Sequence, residues 1–200
     1  VDFLGEDFYD NGGDGSAVTS LSSLISANNA VQGLDGSTYS RWNSRGVSVR
    51  GTAAASVSFT AAPTSFASAG IQNMRLAWLN CSEGTEKPDA LFTTHTIYSY
   101  YEAALQQQER FNDARVADAG FQQLLFKSAP IFPDPQCPSG IMYFLNLGAL
   151  KWNVMAGRDF AARPFIEDSE SNAMVSKIYV CSQLCIENRF LNNKVIGITA

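Results

Sequence analysis

Histidine is almost missing from this chain: His95 is the single one in 200 residues. Any Ser-His-Asp or Cys-His arrangement must therefore run through it. No Gly-x-Ser-x-Gly elbow sets a serine on a strained turn, and Cys81 beside Ser82 follows a helix end with no base in view. Cysteine is scarce as well. Cys81, Cys137, Cys181 and Cys185 are irregularly spaced, unlike a secreted disulfide framework, so free thiols are expected. Cys181 and Cys185 fall in a strand pattern, where positions i and i+4 lie about 13 Å apart and share neither a disulfide nor a zinc ion. A helix there would reopen a metal site.

Charge is thin too, at 16% of residues, with 14 Lys and Arg against 19 Asp and Glu. The net charge of −5 lacks the positive field of sequence-independent nucleic-acid binding. Sparse charge suits a surface that a partner covers, or an ordinary domain faced with Ser, Asn and Gln. No apolar run approaches the roughly 20 residues of a membrane helix, and no signal-peptide pattern opens the chain. A soluble, non-exported protein is expected, although the start at Val1 leaves room for an upstream segment. Nearly half the residues are hydrophobic (46%), and a chain of this length buries about 70% of its unfolded surface without staples.

The organising stretch is Trp78 to Leu105. Phe66, Ala69, Gly70, Asn73, Met74, Ala77, Trp78 and Cys81 recur at three- and four-residue spacing, predicting a helix begun by Pro63-Thr64-Ser65. Gly84 ends it, and Lys87-Pro88-Asp89 forces an extended start to a strand over Ala90-Leu91-Phe92-Thr93. Thr94 then caps a second helix bearing Ile97, Tyr101, Ala104 and Leu105 on one stripe. Upstream, Val1 to Asp10 resembles the end of a helix, Asn11 to Gly15 a loop, and Ser16 the cap of a short helix through Leu21 and Leu24. Ala55 to Thr60 alternates like a half-buried strand. Downstream, Phe121 to Lys127 and Ile131 predict two strands joined by a crossover. Gly140 to Asn146 is apolar throughout and predicts a central strand. Leu150 to Phe165 suggests a strand and a loop. Val175 to Ile186 and Lys194 to Thr199 predict two strands around an Asn192-Asn193 turn.

Sites of metal or acid chemistry fail on inspection. Asp10 to Gly15 imitates a calcium loop, yet its third position is Gly12 and its twelfth is Leu21 rather than Glu. The carboxylates at Glu6-Asp7, Glu167-Asp168 and Glu170 are read as solvated runs rather than a glycosidase pair. Tyr98, Tyr100 and Tyr101, at helical spacing, suit core packing better than base stacking.

Asn80-Cys81-Ser82-x-Gly84-x-x-Lys87-Pro88-Asp89 followed by Thr93-Thr94-x-x-Ile97-Tyr98 resembles a family of tailed-bacteriophage major capsid proteins. The same resemblance runs through Leu34-Asp35-x-Ser37-Thr38-Tyr39-x-x-Trp42, Asp118-Ala119-Gly120-Phe121, Phe126-Lys127-x-Ala129-Pro130-Ile131, Pro138-Ser139-Gly140-x-Met142-Tyr143-Phe144-Leu145-Asn146 and Gly197-Ile198-Thr199. It covers nearly the whole chain in one order. It begins part-way along the family's chain, since the N-terminal arm, extended loop and most of the spine helix have no counterpart in these residues.

The resemblance implies an α+β subunit of the Hong Kong 97-type major capsid protein fold. Residues 1–62 would hold the end of the spine helix and part of a peripheral domain, 63–172 the axial domain core, and 173–200 the strands returning to the peripheral domain. It further implies a non-enzymatic shell protein without cofactor or metal, located in the virion and assembled in the host cytoplasm. Its partners would be other copies of itself in homo-pentamers and homo-hexamers, with portal, scaffold or decoration proteins. The acidic balance leaves only weak, non-specific contact with packaged DNA, and no membrane partner is expected. Because Trp and Arg dominate binding hot spots, Arg41, Trp42, Arg45, Trp152, Arg158 and Arg189 are the expected subunit-interface residues. Two other readings stand beside this one: an encapsulin-like nanocompartment shell, and a small hydrolase using His95 with Ser82 or Cys81.

Overall fold

The computed structural model describes residues 9, 20–26, 30–36, 38–39, 42–44, 66, 70–106, 124–167 and 173–198. The expected strand at Ala55 to Thr60, the Asn11 to Gly15 loop and the Pro63 helix start lie outside them.

Helix α1 (Leu21–Leu24) is capped by Ser20, whose Oγ accepts from the Ser23 N–H at 3.2 Å. The cap expected at Ser16 lies outside the described residues. Strands β1 (Ala30–Val31) and β2 (Leu34–Asp35) form a tight hairpin over Gln32 and Gly33, both at positive φ, the turn that matches strand twist. Helix α2 (Ile71–Asn80) buries Met74, Ala77 and Trp78 and ends at a turn in which Gly84 takes a φ of 61°. Strand β3 (Ala90–Thr93) and helix α3 (His95–Gln106) fall where the sequence predicts them, with the Ile97 N–H donating to Thr94 Oγ1 at 3.5 Å.

The chain returns through β4 (Leu125–Phe126) and β5 (Ala129–Pro133), which pair antiparallel. The expected crossover is a two-residue turn instead, with Lys127 and Ser128 at φ 48° and 79°. Neither residue type announces a left-handed turn, so the hairpin carries no local signal. Strand β6 (Met142–Leu145) follows. A 3₁₀ turn (Leu147–Ala149) then leads to β7 (Leu150–Val154), β8 (Ala161–Ala162), β9 (Ile166–Glu167), β10 (Met174–Val175), β11 (Ile178–Tyr179) and β12 (Ser182–Ile186). A second 3₁₀ turn (Arg189–Leu191) precedes β13 (Asn193–Val195). The expected hairpin around Asn192-Asn193 does not form, because β12 pairs with β7 while β13 pairs with β6 in another sheet.

The body is a five-stranded sheet in the order β13-β6-β3-β5-β4, parallel only between β3 and β5. Its two faces are read off the strand period of two. Leu91, Met142, Phe144 and Ile131 join Trp78, Ile97 and Tyr101 of α2 and α3 in one core. Tyr143 and Leu145 point the other way and meet Leu21, Leu24, Leu184 and Ile186, with Phe92 packed against them. Coverage on both faces explains why every β6 residue is buried and why its sequence is apolar without alternation.

Candidate functional site

Residues 150–167 leave the body and residues 173–187 return to it, paired as one long two-stranded arm. Its ladder runs from Leu150 opposite Ile186 through Ala161 opposite Tyr179 to Glu167 opposite Met174. At strand rise, Met174 to Ile186 spans roughly 40 Å. The ladder is interrupted at Met155 to Phe160, where the Met155 N–H donates to the Cys181 carbonyl (2.9 Å) and the Cys181 N–H donates to the Arg158 carbonyl (3.0 Å). Gly157 at φ 75° and Phe160 at φ 45° let this excursion fold back.

Only the arm's root enters the core, through Leu184 and Ile186 with Leu150 packed against them. Beyond it large apolar side chains face outward: Phe160 is 62% exposed, Phe165 71%, Met174 68% and Ile178 68%. Alternation sorts them. Met174, Ile178 and Val180 share one face of the distal arm, and Val175, Lys177 and Tyr179 the other. On that second face Arg163 Cζ stands 4.9 Å from the Tyr179 ring centroid and Arg158 Cζ 5.8 Å from it. Arg163, Val175, Lys177 and Tyr179 border a cavity of about 430 Å³ with Ile166 and Glu167. The arm exposes apolar area and guanidinium groups.

The expected interface residues fall in different places. Trp152 (46% exposed) and Arg158 lie on the arm. Trp42 is half-buried, its Nε1–H donating to the Val31 carbonyl at 3.3 Å. Arg189 is a correction: it is fully buried within the chain. Its Nε–H donates to the Leu24 carbonyl at 2.8 Å, Nη2 donates to the Ser26 carbonyl and to Ser26 Oγ, and Cζ lies 6.0 Å from the Trp42 ring. It is an internal strut that holds α1 and Trp42. Arg41 and Arg45 lie outside the described residues. Sequence reasoning missed Arg163, Lys177 and Tyr179. Lys177 and Tyr179 two apart in the predicted Val175 to Ile186 strand are the available signal, but their partner becomes visible only through register.

The catalytic alternatives gain nothing from their surroundings. Cys81 is fully buried, and burial pushes its thiol up to about 12. The Ser82 hydroxyl donates to the Trp78 carbonyl at 2.7 Å, and His95 is exposed at the start of α3. Among the described residues no group of three or more His, Cys, Asp or Glu is placed to hold a metal ion, and no helix is long and apolar enough to cross a membrane. All four cysteines are free, with Cys185 within β12 and Cys181 just before it. Tyr101 donates to the Leu125 carbonyl at 3.1 Å, and Tyr98 and Tyr100 pack on the core beside it, as their spacing predicts.

No family model and no curated protein matches the chain. The structure is similar to a chain titled "Cyanophage A-1(L) capsid asymmetric unit", with a TM-score of 0.60 at 17% identity, over 98% of this chain and 65% of that one. This chain therefore spans slightly less than two thirds of that capsid chain, and what the two share is a mixed helix-and-sheet fold.

Proposed function

We propose that the chain is a structural subunit of a bacteriophage head, built on the Hong Kong 97-type capsid fold, which associates with copies of itself into pentamers and hexamers around the genome. The observation that carries this reading is fold likeness to a capsid chain over 98% of these residues, which agrees with the motifs running from Leu34 to Thr199.

The arm supplies the physical means. Two strands about 10 Å wide and roughly 40 Å long offer on the order of 400 Å² on each face. Both faces together approach the roughly 800 Å² that each partner buries in a stable interface. Their apolar side chains stabilise the isolated chain little while exposed and contribute when a neighbouring copy covers them. In this reading Trp152 and Arg158 meet neighbouring copies. The function is geometric, with many modest contacts repeated by symmetry. The acidic balance limits the shell's attraction for the DNA it encloses.

The test is electron microscopy and light-scattering mass of the purified chain, alone and with its natural upstream sequence. Shells or five- and six-membered rings are the expected result. A longer chain that stays monomeric at high concentration overturns it. Shells filled with a protein cargo and no nucleic acid would assign the nanocompartment role instead.

A further inference from the structure

The distal arm carries an electrostatic conflict. The Arg163 N–H donates to the Lys177 carbonyl at 2.9 Å, one step along the ladder from the Ala162–Ile178 pair. Two cations therefore stand directly opposite each other on one face, an arrangement that destabilises an antiparallel pair. Arg158 brings a third positive group to the same Tyr179 ring. Among the described residues the one ion pair is Lys151 with Glu187 at the arm's root, and Glu167, which borders the same cavity, forms none with Arg158, Arg163 or Lys177.

We propose that this face is a carboxylate-binding site for an acidic segment of a second copy of the chain, a proposal that rests on the self-associating shell reading above. A guanidinium lying against an aromatic ring keeps its N–H fork pre-set for a planar carboxylate. Arg163 is placed in that way over Tyr179, and Lys177 adds a mobile point charge beside it. The cavity beside them is lined also by Pro164, Ile166 and Val175, apolar surface that suits the aliphatic stem of an Asp or Glu, and by Glu167, whose carboxylate leaves the two cations in excess by one. A hydrated phosphate backbone gains nothing from that apolar lining. A second copy also brings the required charge, with 19 acidic against 14 basic residues. The same surplus opposes a polyanion.

The test mixes isotopically heavy and light full chains, lets them associate, and treats them with a carbodiimide that joins an amine to a carboxylate in contact with it. Heavy–light peptide pairs linking Lys177 to an Asp or Glu are expected. Arg163→Gln with Lys177→Gln should weaken association about tenfold, while Lys177→Arg keeps association and abolishes the cross-link. Normal association of the double variant, or Lys177 links confined to single chains, overturns the proposal and leaves the shell reading standing. A parent chain that never associates overturns both. Retention of a DNA duplex that the double variant loses, without heavy–light links, would reassign the face to phosphate.

Discussion

Asn146 and Asn192 meet where the arm leaves the body: the Asn146 N–H donates to Asn192 Oδ1 at 3.0 Å, joining the end of β6 to the residue before β13. Each amide is used further. Asn146 Nδ2 donates to the Lys87 carbonyl (3.1 Å) and to Glu86 Oε2 (3.2 Å), and Asn192 Nδ2 donates to the Asn188 carbonyl (3.1 Å). Both residues are buried, so truncating one leaves partners that water reaches poorly. Asn192→Ala should destabilise the chain by about 2–3 kcal/mol, read from the urea midpoint at unchanged slope. Asn192→Asp keeps an acceptor but buries a charge, so a larger loss is expected.

Arg189 makes a second bracket, across 165 positions of sequence to Leu24. Burial lowers its pKa from the ordinary arginine value, yet its hydrogen bonds run to carbonyls that favour the charged form. Arg189→Met keeps the volume of the stem and removes every donor, and should cost about 3 kcal/mol. Arg189→Lys retains the charge without the fork and should lie between Met and the parent. Equal stability of all three chains would mean that α1 is held by apolar contact alone.

These two brackets mark the boundary of what sequence reading reaches. Leu91, Ile97 and the β6 run are legible because each carries a local signal: an entry forced by Pro88, a helical stripe capped by Thr94, and a continuous apolar run of strand length. Arg189 is expected at a subunit interface because arginine is enriched at binding hot spots, and its burial depends on a carbonyl that no local window contains. Asn192-Asn193 has the composition of a turn, but Asn193 Nδ2 donates to the Ala77 carbonyl at 3.2 Å, and that tertiary bond holds it at the start of a strand. Strands are expected within Leu150 to Phe165 and Val175 to Ile186, and β7, β11 and β12 fall there, but their pairing into an arm is not legible. Its outward apolar residues bury no face within the chain, so no core pattern announces it, and the excursion at Met155 to Phe160 shifts the register that brings Arg163 opposite Lys177.

Alkaline pH should weaken the fold through Cys81 and Cys137. Burial pushes both thiols from 9.0 up to about 12, with Asp134 adding to the effect at Cys137. Below pH 9 they are protonated whether the chain is folded or not, and their contribution is complete. Between pH 9 and 12 the unfolded chain loses those protons while the folded chain keeps them. Stability should then fall by up to about 1.4 kcal/mol per pH unit for each thiol. Cys81→Ala with Cys137→Ala lowers stability at neutral pH by leaving small cavities, but should flatten the decline above pH 9. An unaltered slope in urea titrations would assign the alkaline loss to Tyr9 and Tyr101, whose pKa values burial also raises.

The apolar face of the arm separates monomer stability from association. Met174 and Ile178 are each 68% exposed and lie on the side of the ladder opposite Lys177 and Tyr179, touching neither core. Replacing both with Ser removes little that the isolated chain uses, so the monomer's unfolding free energy should change by less than about 0.5 kcal/mol. If a neighbouring copy covers this face, each side chain contributes on the order of 1.5 kcal/mol or more to association. The double variant should then associate about a hundredfold more weakly, measured by analytical ultracentrifugation over a concentration series. Arg163→Gln with Lys177→Gln perturbs the other face, and because the faces are separate the two losses should add. Unchanged association in Met174→Ser with Ile178→Ser would leave contact to the cationic face and the arm's root, where Trp152 is the next residue to replace.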